Sequence, residues 1–422
     1  MVRKAGRHSG VIPAKVRWGR QLRAARKTVA KERGWFKDDP QGWRSALTSS
    51  LTTLGTLLAE KLDRPAEALP FLQEAVALRR DKVETDKHPY CRIELAQSLS
   101  TLGELQAQLG RPAEGLRYAE EAVDVCRPLA ETDLARYRSD LAKCLRTLGD
   151  LLAALDRPAA AQAAQDEAIA LEGEPEDLVA LYRGLADADA DPDRYRPALA
   201  ASLYYRYDRL RRDDRPAEAL PFVEEAVALR RGLAGAGAAA HRRIALAESL
   251  RALGALLGQL DRPAEALPFV EEAVALRRGL AEADAPPRRR LALALSLRLL
   301  GRLLAQLDRP AEALPFAREA VGLWRGVAES QAEDRRYEAG LAISLHTLGE
   351  LLAQLDRPAE ALPFAQEAVD LHRARITLLG NRNLTGALHT LAEVLTALDR
   401  PAEAQAARDE AAALEETEPE AP

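Results

Sequence analysis

From residue 38 onward apolar residues return at intervals of three and four, the period of one helix face. Two such patterns alternate. The first reads SLxxLGxLLAxLD, as in Ser50–Asp63 and Ser344–Asp356; the second reads PAEALPFxEEAVxLRR. Between them stands Asp-Arg-Pro, once Gly-Arg-Pro, with prolines at Pro65, Pro112, Pro158, Pro216, Pro263, Pro310, Pro358 and Pro401. Their spacings are 47, 46, 58, 47, 47, 48 and 43 residues, and residues 215–234 and 262–281 are the same string. Eight copies of a two-helix unit therefore cover nearly everything after residue 38.

Each copy carries its own punctuation. The aspartate suits an N-cap for the second helix, and proline suits a first turn, where its missing N–H costs nothing. A further proline stands inside the second helix at Pro70, Pro221, Pro268, Pro315 and Pro363. So near the helix start it should bend or shift the first turn without breaking the helix. A small residue recurs at Ala68, Gly115, Ala161, Ala219, Ala266, Ala313, Ala361 and Ala404, and an alanine follows seven residues later in every copy. Small residues at fixed helical places let neighbouring helices approach closely.

Leu54-Gly55, Leu102-Gly103, Leu148-Gly149, Leu253-Gly254, Leu300-Gly301 and Leu348-Gly349, each followed by the two small positions, resemble the Leu-Gly…Ala…Ala skeleton of tetratricopeptide repeats. The unit is longer than that family's usual length of about 34 residues. Its LGxLLAxLDRPAEALPF form is most similar to the longer repeats of kinesin-light-chain type, abundant in actinobacterial proteins. The resemblance implies an all-α, right-handed solenoid of about eight helix pairs, whose first helices line a concave groove. It says little about activity, because this repeat serves many unrelated partners.

The 58-residue interval breaks the series. Residues 152–176 nearly copy 395–420, and in both the apolar Leu-Pro-Phe becomes Gln-Ala-Ala (Gln162–Ala164, Gln405–Ala407) before an acidic stretch. A terminal repeat needs a polar outer face, so the third repeat reads as an old C-terminal cap. Residues 191–203 then match 39–51, as though the chain restarts. The expected organisation is a basic arm over 1–37, a solenoid segment of three repeats over 38–176, a second of five over 177–415, and an acidic tail over 416–422. Five of nine tyrosines, Tyr182, Tyr195, Tyr204, Tyr205 and Tyr207, fall at this junction. Filling of an imperfect stacking interface and an aromatic partner patch both remain open.

Composition narrows the picture. Hydrophobic residues make up 47% but aromatics only 5%, and Met1 is the only methionine, so Ala and Leu must fill the core. The most apolar stretch, Leu291–Leu307, is interrupted by Arg298 and Arg302, so no transmembrane span is expected. Cys91, Cys126 and Cys144 are odd in number and lack a metal-ligand spacing, which argues against a disulfide framework or a zinc site. The N-terminus has charge but no apolar core, so a cytoplasmic location is expected. The net charge of −5 hides an asymmetry: residues 1–37 carry +11, leaving −16 on the rest.

Aligned on Leu-Gly, one variable position of the groove helices holds Thr52, Ser100, Arg146, Arg251, Arg298, His346 and His389. One turn on come Thr56, Glu104, Asp150, Ala255, Arg302, Glu350 and Glu393. Residues that vary at a fixed place in uniform repeats are where specificity would be written. The arginines suit carboxylates or phosphates on a peptide; the alternative is a solvated face with inter-repeat ion pairs such as Arg302 with Glu350. His346/Glu350 and His389/Glu393 are (i, i+4) pairs but do not form HExxH, and neither metal nor cofactor is expected. His88 and Cys91 lack an evident orienting partner for catalysis, and no phosphate-binding loop or nucleophile elbow occurs.

The arm holds one apolar stripe, Trp18, Leu22, Ala25 and Val29, on an otherwise basic helix with Arg17, Arg20, Arg23, Arg26 and Lys27. It reads as a capping helix, as a contact for nucleic acid, an anionic membrane or an acidic partner, or as docking against the acidic body. The expected function is a non-enzymatic scaffold that binds a peptide or partner protein in the groove, for regulation or assembly. A nucleic-acid-associated protein acting through the arm, and a sensor subunit of a multi-component signalling or defence system, are the alternatives. Homo-oligomers are compatible with all three.

Overall fold

Helices fill almost all of the residues described by the computed structural model, which are 14–86, 88–188, 195–235, 237–281, 285–330, 336–374 and 382–416; no strand occurs among them. A single helix α1 (Ala14–Asp38) precedes three pairs: α2 (Pro40–Thr56) with α3 (Pro65–Thr85), α4 (Pro89–Gln108) with α5 (Pro112–Thr132), and α6 (Leu134–Ala154) with α7 (Pro158–Glu172). A second single helix, α8 (Pro175–Ala188), is followed by α9 (Arg196–Arg212) and α10 (Pro216–Leu233). Then come α11 (Ala240–Gln259) with α12 (Pro263–Arg278), α13 (Pro287–Gln306) with α14 (Pro310–Ser330), α15 (Arg336–Gln354) with α16 (Pro358–Arg373), and α17 (Arg382–Ala397) with α18 (Pro401–Glu416). The acidic tail beyond Glu416 and the first thirteen residues of the basic arm lie outside the described residues.

The turn within each pair corrects the role assigned to its aspartate. Asp63, Asp156, Asp214, Asp261, Asp308, Asp356 and Asp399 have φ between 52° and 57°, and Gly110 in the remaining copy has 72°. This is the left-handed conformation that closes a helix. Asp308 N–H donates to Ala305 O at 3.0 Å and Arg309 N–H to Leu304 O at 2.9 Å, the paired bonds of a Schellman ending. The aspartate therefore terminates the first helix, and the arginine after it is at once the N-cap of the second. That arginine brings no capping oxygen. Its guanidinium instead grips the glutamate of the new first turn, as Arg309 does Glu312 at 2.7 and 2.6 Å.

A left-handed aspartate is strained by its Cβ, and glycine is not. Asp261→Gly should therefore gain about 0.5–1 kcal/mol in urea unfolding, after allowing for glycine's greater freedom in the unfolded chain. An unchanged or lower midpoint would mean that the carboxylate itself makes a compensating contact.

Sequence insertions and prolines are absorbed locally. The first repeat has one residue more between Gly55 and Asp63 than its neighbours have, and Leu57–Lys61 forms a π-helical turn there. Helices α3, α10, α12, α14 and α16 run on through Pro70, Pro221, Pro268, Pro315 and Pro363. The eight alanines from Ala75 to Ala411 are all buried, at 0–1% exposure.

Two compact units divide the chain, Met1–Tyr205 and Arg206–Pro422, the division falling inside α9. Each is an α-solenoid. Within a unit, successive first helices approach each other, α4 to α6 in one and α11 to α13, α15 and α17 in the other. Successive second helices are bridged by long side chains: Arg80 to Glu121 (2.6 and 3.0 Å), Arg231 to Glu272 (2.6 and 3.2 Å), Arg278 to Glu319 (2.6 Å) and Arg325 to Glu367 (2.6 Å). First helices thus form the inner side of each stack.

Helix α1 extends this ladder backward. Arg33 pairs with Glu74 of α3 over the same 41-residue step that separates Arg80 from Glu121, and Arg26 reaches Glu67 at 2.8 Å. Leu22 and Val29 are buried against the first repeat, and Trp35 meets Trp43 of α2 at 4.2 Å between ring centroids. Chemically, α1 takes the place of a second helix one repeat before α3.

Candidate functional site

The variable positions singled out belong to the first helices, and most of them in the first unit are occupied by the protein itself. Thr52 accepts from Arg79 Nη1 at 3.2 Å, and Ser100 is buried with its hydroxyl 3.6 Å from Cys144 Sγ. Thr147 donates to Glu104 at 2.9 Å. Arg146 forms an ion pair with Glu172 at the end of α7. In the chain order of the repeat, Glu172 replaces the arginine found at Arg79, Arg230 and Arg277. The same exchange at the C-terminal repeat puts Glu415 3.1 Å from His389. Both cap-like repeats so neutralise their own groove residue.

Those arginines at the ends of the second helices were not read as site residues from sequence. They turn inward between repeats. Arg230, 3% exposed, donates to Ser249 Oγ at 2.6 Å and Ala245 O at 3.0 Å, while Arg79 reaches Ser98. Arg277 pairs with Glu248 of α11, which also holds Arg251 at 2.5 Å. Burial alone would raise the Glu248 carboxyl, yet Arg251 and Arg277 overturn that and hold it at about 2. The available signal was the buried serine one helix later, at Ser98, Ser249, Ser296 and Ser344, which needs a partner.

The second unit keeps a charged inner strip. Arg298 is half-buried and Arg302 exposed on α13, and neither has a carboxylate partner among the described residues. The expected pair between Arg302 and Glu350 does not form. Glu350 turns instead to His346 of its own helix, at 3.3 Å, and burial and the nearby Glu393 push its carboxyl up rather than down. His346 Nε2 also meets Thr390 Oγ1 of α17 at 2.9 Å. Between α15 and α17 lies a cleft of about 470 Å³ lined by Glu350, Gly386, His389, Thr390 and Glu393.

Behind this strip, His372 of α16 occupies the place of Arg230 and Arg277 but is 4% exposed, with no hydrogen-bond partner for Nε2 among the described residues. Burial, and His346 nearby, push it down to about 4. The unfolded chain takes up that proton near pH 6.5 and the folded one does not, so stability falls as pH drops from 6.5 towards 4. The loss is about 2 kcal/mol at pH 5. His372→Leu should remove this share, which a comparison of unfolding midpoints at pH 7.5 and pH 5 would read; an equal acid loss in the variant would sink the assignment.

The remaining candidates divide by burial. Tyr205 and Tyr207 are buried at 6% and 3% exposure and serve packing, with Arg138 stacked 5.2 Å from the Tyr205 ring; Tyr195 and Tyr204 are half-buried. Tyr182 donates to Glu167 at 2.8 Å inside the first unit. In the arm, Arg26 is spent on Glu67, whereas Arg20, Arg23 and Lys27 are exposed, and the Arg17 side chain lies outside the described residues. His88 caps α4, its Nδ1 accepting from Tyr90 N–H at 3.2 Å. Burial pushes the Cys91 thiol up, opposite to what a nucleophile needs. Among the described residues no group of His, Cys, Asp and Glu is placed to hold a metal, and no helix is long and apolar enough to cross a membrane.

Uniform helix pairs presenting a variable inner strip define a helical-repeat interaction scaffold. Residues 47–90, 246–284 and 341–375 match the tetratricopeptide repeat family, so the chain carries tetratricopeptide repeats. Among solved structures it is similar to the nearly identical TPR-like repeats of a putative kinesin light chain from Podosopora anserina (19% identity, 54% of this chain and 97% of that one, TM-score 0.38). It is also similar to BtubC from P. vanneervenii (17%, 73% and 91%, 0.28). A third is YrrB, described as a TPR protein with an unusual peptide-binding site (15%, 57% and 93%, 0.33). No curated protein matches the chain.

Proposed function

We propose that the chain is a non-enzymatic scaffold that holds a peptide or partner protein along its inner strip, for regulation or assembly. One observation carries this reading. On a frame whose core positions barely change, one position of the first helices of the second unit passes from Arg251 and Arg298 to His346 and His389, and the position one turn on passes from Arg302 to Glu350 and Glu393. A frame kept constant beneath a varied strip is what partner selection requires.

The test is affinity capture with mass spectrometry, comparing the full chain with Arg298→Glu/Arg302→Glu. Charge reversal at these positions should cut recovery of specific proteins at least tenfold and leave helix content unchanged. Equal recovery by both, or recovery of nucleic acid alone, would overturn the scaffold reading.

A second reading is favoured by the arm. With Leu22 and Val29 docked, Arg20, Arg23 and Lys27 face outward on the opposite side of α1, a placement suited to nucleic acid or an acidic partner. Contact with about five phosphates would give a log–log salt slope of roughly −4 to −5. Arg20→Glu/Arg23→Glu/Lys27→Glu should abolish such binding without uncovering the first repeat, as removal of α1 would.

A further inference from the structure

Three arginines on the first helices of the second unit stand close enough to feel one another's charge, and two of them, Arg298 and Arg302, have no carboxylate partner among the described residues. Arg298 and Arg302 stand one turn apart on α13, so their side chains share a face. Arg251 holds the equivalent position on α11. Burial pushes Arg298 down to about 10, and the like charges of Arg302 and Arg251 push it the same way. Glu248 is shared between Arg251 and Arg277. Neither Arg298 nor Arg302 has an anionic partner among the described residues.

Elsewhere on the first helices the chain supplies its own carboxylate. Arg146 is met by Glu172 and His389 by Glu415, each from within its own repeat. A half-buried cation left among like charges is unfavourable for folding, so its presence calls for an anion from outside. We propose that Arg251, Arg298 and Arg302 form a binding site for one phosphoryl group carried on a partner peptide. The proposal rests on the inner strip being the partner-binding surface, and adds what the partner must carry there.

A phosphoryl group fits better than a carboxylate. It bears nearly two negative charges and three acceptor oxygens, and each guanidinium fork can give it two parallel bonds. A nucleic acid fits worse. Glu248 stands beside the cluster, and the next first helices place Glu350 and Glu393 at the corresponding positions. A run of phosphates along the strip would meet these carboxylates within one repeat, whereas a single phosphoryl group would not.

The test uses the full chain and three fluorescein-labelled probes: Gly-Gly-phosphoserine-Gly-Gly, the same peptide without phosphate, and a mixed-sequence single-stranded DNA of twenty nucleotides. Polarisation titrations should give at least tenfold tighter binding of the phosphopeptide than of its unphosphorylated form. Inorganic phosphate should compete saturably where chloride at equal ionic strength does not. Arg298→Met and Arg302→Gln should each weaken phosphopeptide binding at least tenfold, and Arg298→Met without ligand should melt no lower than the parent. Should that variant fail to fold, Arg298 is a packing residue and its place in the site is overturned; Arg302→Gln, at an exposed position, still reads the rest. Equal binding of both peptides, unchanged affinity in Arg302→Gln, or tighter binding of DNA would overturn the proposal. Captured partners that phosphate fails to displace would count against this site alone; failure to capture any protein would count against the scaffold.

Discussion

Glu167→Ala should destabilise the first unit by about 3–5 kcal/mol, the usual consequence of removing one partner from a buried ion pair. Glu167 is 7% exposed and takes Arg127 through both oxygens, at 2.7 and 3.1 Å, while Tyr182 donates to it at 2.8 Å. Three polar groups from α5, α7 and α8 thus satisfy each other, with Glu167 and Tyr182 buried and Arg127 partly so. Removing the carboxylate strands a cation and a buried hydroxyl together. The carboxylate more than offsets the burial that would lower Arg127, which ends above its ordinary value. Glu167→Leu combined with Arg127→Met and Tyr182→Phe should recover most of the loss, since no unpaired group then remains. Denaturant unfolding measures both; a single variant within about 1 kcal/mol of the parent would show that water enters and compensates.

Gly115→Val carries the next largest effect, a loss of about 3 kcal/mol from overpacking. Seven repeats place alanine here, but a Cβ on Gly115 would lie 2.6 Å from the backbone oxygen of Gly103 and 2.9 Å from Leu151 Cδ2. Helices α4 and α5 approach more closely than that allows, because glycine faces glycine. A backbone oxygen cannot rotate aside as a side chain can, so the helices themselves must separate. The equivalent Ala313 leaves more room, since a Cβ added at Gly301 would lie 3.7 Å from its oxygen. A valine at 115 tolerated without change in midpoint would mean that this pair slides freely.

The repeats were legible because their evidence is redundant: eight copies state the same helix period, small residues and turn. Even the misassigned aspartate left a clue. Its one replacement is Gly110, and a cap that accepts through its side chain would not exchange for glycine, whereas a left-handed residue would. Charge pairing was not legible. Arg302 and Glu350 stand at matching positions of adjacent repeats, but His346 lies one turn from Glu350 on its own helix and takes the carboxylate. Whether a groove arginine is free depends on what the end of a second helix offers it, glutamate after Arg146 and nothing for Arg298. Such pairings join residues roughly 26 to 48 positions apart, beyond any local rule. The same holds for Cys126 and Cys144, free thiols whose sulfurs sit 3.6 Å apart across α5 and α6 although their spacing suggests nothing.

The ion-pair ladder along the second helices reaches only to the next repeat, over 37 to 42 residues. No interaction of that kind closes the chain over a long distance, so a nucleus can form wherever one hairpin happens to be ordered first, and order then spreads to its neighbours. Opening runs in reverse. The hairpin α17 with α18 packs on α15 and α16 among the described residues and should exchange its amide hydrogens ahead of α13, which packs on described helices to both sides. The unbalanced arginines therefore sit in the part of the second unit that melts late, and their unfavourable charge is borne by the repeats around them.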